Sequence, residues 1–265
     1  MNSKSKKLDA FARLLDIMDL LRNECPWDKK QTIESLRHLT IEETYELSES
    51  ILKGDRNDIK HELGDILLHV VFYSKIASEE NAFDIKDVIE KICEKLIYRH
   101  PHIFGKIKVA NEFDVKKNWE VLKLKEGKNN LLSGVPNSLP SLIKAQRIQE
   151  KAAGVGFDWN TPEEVWLKVQ EELDELKVEI QKGNQSKIQE EFGDLFFSMV
   201  NYARFLNIEP DIALEKANQK FMKRLLFIEN NARKNGKLIN ELSHSELNNL
   251  WLDAKNYHSP DDESS

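Results

Sequence analysis

Glu172 and Glu175 are three residues apart, as are Glu191 and Asp194, and on a helix each pair shares a face. Two such helices packed side by side would aim four carboxylates at one point. Crowded carboxylates repel one another and lose hydration, at a cost that only cations or protons offset. The donor set is all oxygen, with no adjacent cysteine or histidine cluster. That predicts a hard divalent ion, Mg²⁺ with Mn²⁺ as a substitute, rather than zinc. Mg²⁺ keeps several waters and takes phosphate oxygens as co-ligands. Glu171 and Glu190 are further acidic candidates beside these ligands.

The same arrangement occurs earlier in the chain. Glu42-Glu43-Thr44-Tyr45-Glu46-Leu47 aligns with Glu171-Glu172-Leu173-Asp174-Glu175-Leu176 at an offset of 171 − 42 = 129, and Glu62-Leu63-Gly64-Asp65 aligns with Glu191-Phe192-Gly193-Asp194 at the same offset. The N-terminal copy therefore offers Glu43, Glu46, Glu62 and Asp65 as ligands. A lone Glu-Glu-x-x-Glu is most often a solvated helix face. Its coupling to Glu-x-x-Asp, twice at equal spacing, favours a site.

Cations and aromatic residues recur in the same order. Lys95 and Arg99 have Lys220 and Arg224 as counterparts, and Trp119 and Lys123 have Trp251 and Lys255. Basic residues four apart on one helix face, opposite a metal cluster, would hold a polyphosphate. Trp251 could stack on a base or close the core. Lys187, a candidate phosphate cation, has Asp58 as its counterpart, and Glu190 has His61, so the N-terminal copy lacks one such cation. Gly64 and Gly193 weaken a helix, which calls for close helix approach or room for a metal-bound phosphate. His100-Pro101-His102 reads as a loop without a site. A ferritin-type di-iron bundle needs two Glu-x-x-His motifs, and only Glu241 to His244 matches.

The elements that carry these residues are helices. Apolar periodicity and stop signals predict helices over 8–24, 32–53, 58–80 and 84–99, then one carrying Trp119 and Lys123. Others are predicted from Ser141, from Thr161-Pro162, over 185–207 and over 211–235, with a last one carrying Trp251 and Lys255. The helices around Glu62 and Glu191 are apolar nearly all round, as core helices are. Glycine, proline, asparagine and serine mark 127–140 as a linker. The chain thus divides into an N-terminal module (1–126), the linker, a C-terminal module (141–257) and a disordered tail (258–265).

The 265 residues carry a formal net charge of −7, which argues against a general nucleic-acid binder. No apolar run is long enough to span a membrane and no signal region follows the polar start, so a cytoplasmic protein is expected. The two cysteines, Cys25 and Cys93, are too few for a disulfide framework.

Cys25-Pro26-Trp27-Asp28, Glu42-Glu43-x-x-Glu46, Glu62-Leu63-Gly64-Asp65, Arg99-His100-Pro101-His102-Ile103-Phe104 and Val155-Gly156-Phe157-Asp158-Trp159 resemble the strings of tandem-domain MazG proteins. The resemblance implies an all-α fold of two tandem helical modules and a homodimer. It implies hydrolysis of nucleoside triphosphates between the α and β phosphates, giving nucleoside monophosphate and pyrophosphate. It also implies that the C-terminal copy is the catalytic one, with Glu172, Glu175, Glu191 and Asp194 on Mg²⁺. Two other readings stay open: a dimeric nucleotide sensor that does not hydrolyse, and a pyrophosphohydrolase restricted to particular deoxynucleotides or a guanosine polyphosphate alarmone.

Overall fold

The computed structural model describes residues 3–107 and 131–256, with Val115 and Leu122 between them. Two compact units divide the chain after Ile107. Helices α1 (Ser3–Glu24), α2 (Ile33–Lys53), α3 (Arg56–Glu79), α4 (Ile85–Arg99) and the short α5 (Pro101–Phe104) belong to the first. The second holds α6 (Ser141–Gly154), α7 (Pro162–Lys182), α8 (Gln185–Phe205), α9 (Pro210–Lys234) and α10 (His244–Asn256). The described residues contain no strand, and none of their helices is long and apolar enough to cross a membrane.

Each unit is organised around one helical hairpin, made twice by the same local chemistry. Thr32 caps α2 through the Ser35 amide, Gly54 ends it at φ +75°, and Asp55 caps α3. In the second unit Thr161 caps α7, Gly183 ends it at φ +71°, and Asn184 caps α8. A left-handed glycine followed at once by an N-cap reverses the chain within two residues, because only glycine enters that conformation without strain. The paired carboxylates of each copy thereby come onto neighbouring helices.

Met18, Leu36, Val71, Phe72 and Ile76 form the first core, with Phe11, Leu14, Leu15, Leu39, Leu68, Tyr73 and Ile85 packed against it. Val165, Val169 and Leu176 on α7 are buried in the second unit, as are Val200, Ile228, Ala232 and Ala254. Each such side chain contributes about 1.5–3 kcal/mol of apolar burial, less for alanine.

Three expectations change. The first helix begins at Ser3 rather than Leu8, since its lysines are good helix formers and nothing before Leu8 stops the helix. Pro101 opens the short helix α5 instead of a loop, because a proline at the first helical position gives up no hydrogen bond. The apolar helices are not enclosed: Phe192, Phe196, Phe197 and Met199 on α8 are exposed, as are Leu63, Leu67 and Val70 on α3. A unit of a few helices covers one stripe of each, so a helix apolar on all sides keeps the remainder uncovered. The predicted helix with Trp119 and Lys123, and the tail 258–265, lie outside the described residues.

Candidate metal centre

Glu172 and Glu175 on α7 and Glu191 on α8 each place a carboxylate oxygen within 4.8 Å of the others. Glu43 and Glu46 on α2 form the same group with Glu62 on α3. Two oxygens on opposite sides of one Mg²⁺, each about 2.1 Å from it, stand about 4.2 Å apart. The 4.8 Å limit that encloses either triplet lies just beyond that spacing. The oxygen donor set and this separation both fit the ion.

The fourth predicted ligand of each copy, Asp194 or Asp65, is not within that triplet but acts on it. Desolvation first, then the charges of Glu175, Asp194, Glu172 and Glu190, hold the Glu191 carboxyl above its usual range. Desolvation followed by Asp65, Glu46 and Glu62 does the same to Glu43, and desolvation with Glu46 and Asp65 to Glu62. Each centre is thus a place where negative charge is in excess, which is the condition a divalent ion relieves.

Burial differs within the cluster. Glu172 is only 6% exposed, while Glu175 and Asp194 face solvent and Glu191 is half-buried. The buried carboxylate has one described cation, Lys168, whose Nζ lies 2.8 Å from Glu172 Oε1 and 2.8 Å from Glu171 Oε1. Sequence reasoning overlooked Lys168 because it does not recur: Leu39 occupies the matching position. Its spacing of three and four residues from the two glutamates was the available signal.

Neither Gly64 nor Gly193 is demanded by packing, since a Cβ added at either meets nothing within 4 Å. Close helix approach is therefore not the reason for them among the described residues, and open space lies beside both Glu-x-x-Asp motifs.

The predicted phosphate cations separate into groups. Lys220, Arg224 and Lys255 line an open groove of about 280 Å³ between α9 and α10, together with Lys216, Lys223, Gln219 and Ala254. Trp251 packs against Phe221 at 5.4 Å, and the Arg224 guanidinium lies 5.3 Å from the Trp251 ring centre. Lys187 is outside the groove and pairs with Glu190 at 2.7 Å. In the N-terminal copy Lys95 is exposed and Arg99 half-buried, both on α4. Trp119 and Lys123 lie outside the described residues.

Both halves of the chain are similar to known proteins. The family model described as "MazG nucleotide pyrophosphohydrolase domain" matches twice, over residues 31–104 and 160–230, so each match contains one hairpin and its carboxylates. A Thermotoga maritima protein named "Nucleoside triphosphate pyrophosphohydrolase/pyrophosphatase MazG" is 45% identical over 250 residues, covering 92% of this chain and 95% of its own. An Escherichia coli K12 protein named "Nucleoside triphosphate pyrophosphohydrolase" is 41% identical over 257 residues, covering 94% of this chain and 98% of its own.

Proposed function

The chain belongs to the MazG family, and from that premise we propose that it is a Mg²⁺-dependent nucleoside triphosphate pyrophosphohydrolase that cuts between the α and β phosphates. The observation that carries the reading is the carboxylate triplet Glu172, Glu175 and Glu191, presented by one hairpin and repeated as Glu43, Glu46 and Glu62. Held by these residues with Asp194 beside them, Mg²⁺ would supply an acidified water and a Lewis-acid contact to the phosphates. Glu171 or Glu172 orients the attacking water and accepts its proton. Lys220, Arg224 and Lys255, with Lys187, offset the charge of the triphosphate and of the departing pyrophosphate. Water is the nucleophile, and no enzyme side chain forms a bond to phosphorus.

The C-terminal copy is the principal catalyst in this reading, because it alone has Lys187 and Glu190 where the other has Asp58 and His61. The exposed phenylalanines of α8 support a homodimer, in which a second copy covers them. The absence of a membrane-spanning helix among the described residues is compatible with action in the cytoplasm.

The test is incubation of purified protein with ribo- and deoxynucleoside triphosphates, with and without Mg²⁺, separating the products. Monophosphate with pyrophosphate, formed only with Mg²⁺, is expected. Diphosphate with phosphate would overturn the assignment of the bond, and no turnover of any triphosphate would overturn the enzyme reading.

A further inference from the structure

The two carboxylate centres have nearly the same acids but a different residue beside them. In the C-terminal centre the Lys168 ammonium touches both Glu171 and Glu172 at 2.8 Å. Its side chain is one third exposed and that of Glu172 is 8% exposed. The contact is therefore an ion pair at the edge of the interior, less screened than the exposed pair of Lys187 with Glu190. In the N-terminal centre the matching residue is Leu39, packed against the core of that unit. No ion pair to Glu43, Glu46 or Glu62 is formed among the described residues.

Resting on the metal reading above, we propose that Lys168 is a built-in counter-ion of the C-terminal centre, which holds Glu171 and Glu172 in the metal-free protein and is displaced when a divalent cation takes Glu172. Glu172 Oε1 is the atom the ammonium engages. A cation bound to the same carboxylate would stand within a few ångströms of a like charge, so the two compete. Lysine suits this role: its ammonium is a compact charge on a flexible stem, able to withdraw to solvent without breaking a rigid fork of hydrogen bonds. Until it is displaced, the pair keeps the buried carboxylate from standing uncompensated, a state that burial makes costly. Lys168 is in this sense a positioning residue. Leu39 offers no such competition, so the two centres of one chain take up metal with different affinity before any nucleotide is present.

Mn²⁺ binding to the nucleotide-free full-length chain, followed by electron paramagnetic resonance, tests this. A background of Glu43→Gln, Glu46→Gln and Glu62→Gln leaves only the C-terminal centre to be read, and circular dichroism checks that each variant is folded. Lys168→Met and Lys168→Gln should each tighten Mn²⁺ binding about tenfold by removing the competing charge, and Lys168→Arg should restore the weaker binding. Unchanged or weaker binding in both neutral variants would overturn the proposal while leaving the metal site standing. No Mn²⁺ bound with Lys168 in place, in an otherwise folded chain, would overturn the metal reading and this inference together.

Discussion

Thr40 Oγ1 lies 2.6 Å from Nδ1 of His69 and 2.7 Å from the Tyr73 hydroxyl, so one small side chain ties α2 to α3. The corresponding C-terminal positions are Val169, Ser198 and Tyr202, and there Tyr202 packs on Trp166 at 5.0 Å instead. His69 is 7% exposed, and this desolvation holds its pKa below the usual value, outweighing Asp65, which acts the other way. The folded protein therefore binds the proton less readily than the unfolded chain, and stability rises with pH through the window. The first unit should melt at a lower temperature at pH 5.5 than at pH 7.5. In His69→Gln that part of the difference should shrink, and an unaltered pH dependence in the variant would remove His69 as its cause.

Arg22 grips three residues at once. It forms a two-point pair with Glu79 (3.0 and 2.6 Å) and donates to the carbonyls of Asp28 and Gln31. It thus fastens the turn after α1 to the end of α3. The side chain is largely buried, so Arg22→Met should cost about 2 kcal/mol, read as a lower urea midpoint. The Arg22 hydrogen bond holds the Glu79 carboxyl below its usual range. Its contribution is therefore present above the unfolded carboxylate pKa and lost as pH falls through the folded value. In Arg22→Met, acid should destabilise the protein less.

Glu172 is the buried member of its cluster and Glu43 is half-buried in the other. Glu172→Gln keeps the shape but removes the charge, and kcat should fall by about 10²–10³-fold or more. Glu43→Gln should cost less than tenfold if the C-terminal centre carries turnover. Steady-state kinetics with saturating Mg²⁺ distinguishes these outcomes, and equal losses from the two changes would end the assignment of one principal centre.

Gly193 sits inside α8 with open space where a Cβ would go. Gly193→Ala should stabilise the helix by about 0.5–1 kcal/mol, seen as a higher urea midpoint. If that space receives the substrate phosphates, kcat/KM should fall by about tenfold or more in the same variant. A variant both more stable and fully active would show that the space is not used.

What the sequence alone determined is local. Thr32, Asp84 and Thr161 mark helix starts, and Gly54 and Gly183 mark stops, because capping depends on residues within one turn. The three-residue spacing of Glu172 with Glu175, and the hairpin joining their helix to that of Glu191, follow from the same short-range rules, and the repeat made them visible. Only the tertiary structure decided which acids meet. Asp194 shares a helix face with Glu191, yet the triplet is completed from α7. The pairs Arg22 with Glu79 and Arg204 with Asp158, separated by 57 and 46 residues, have no local signature at all. The exposure of α8 was hidden for a related reason. Periodicity reports how apolar each face of a helix is, whereas cover depends on how many neighbours the folded chain can bring against it.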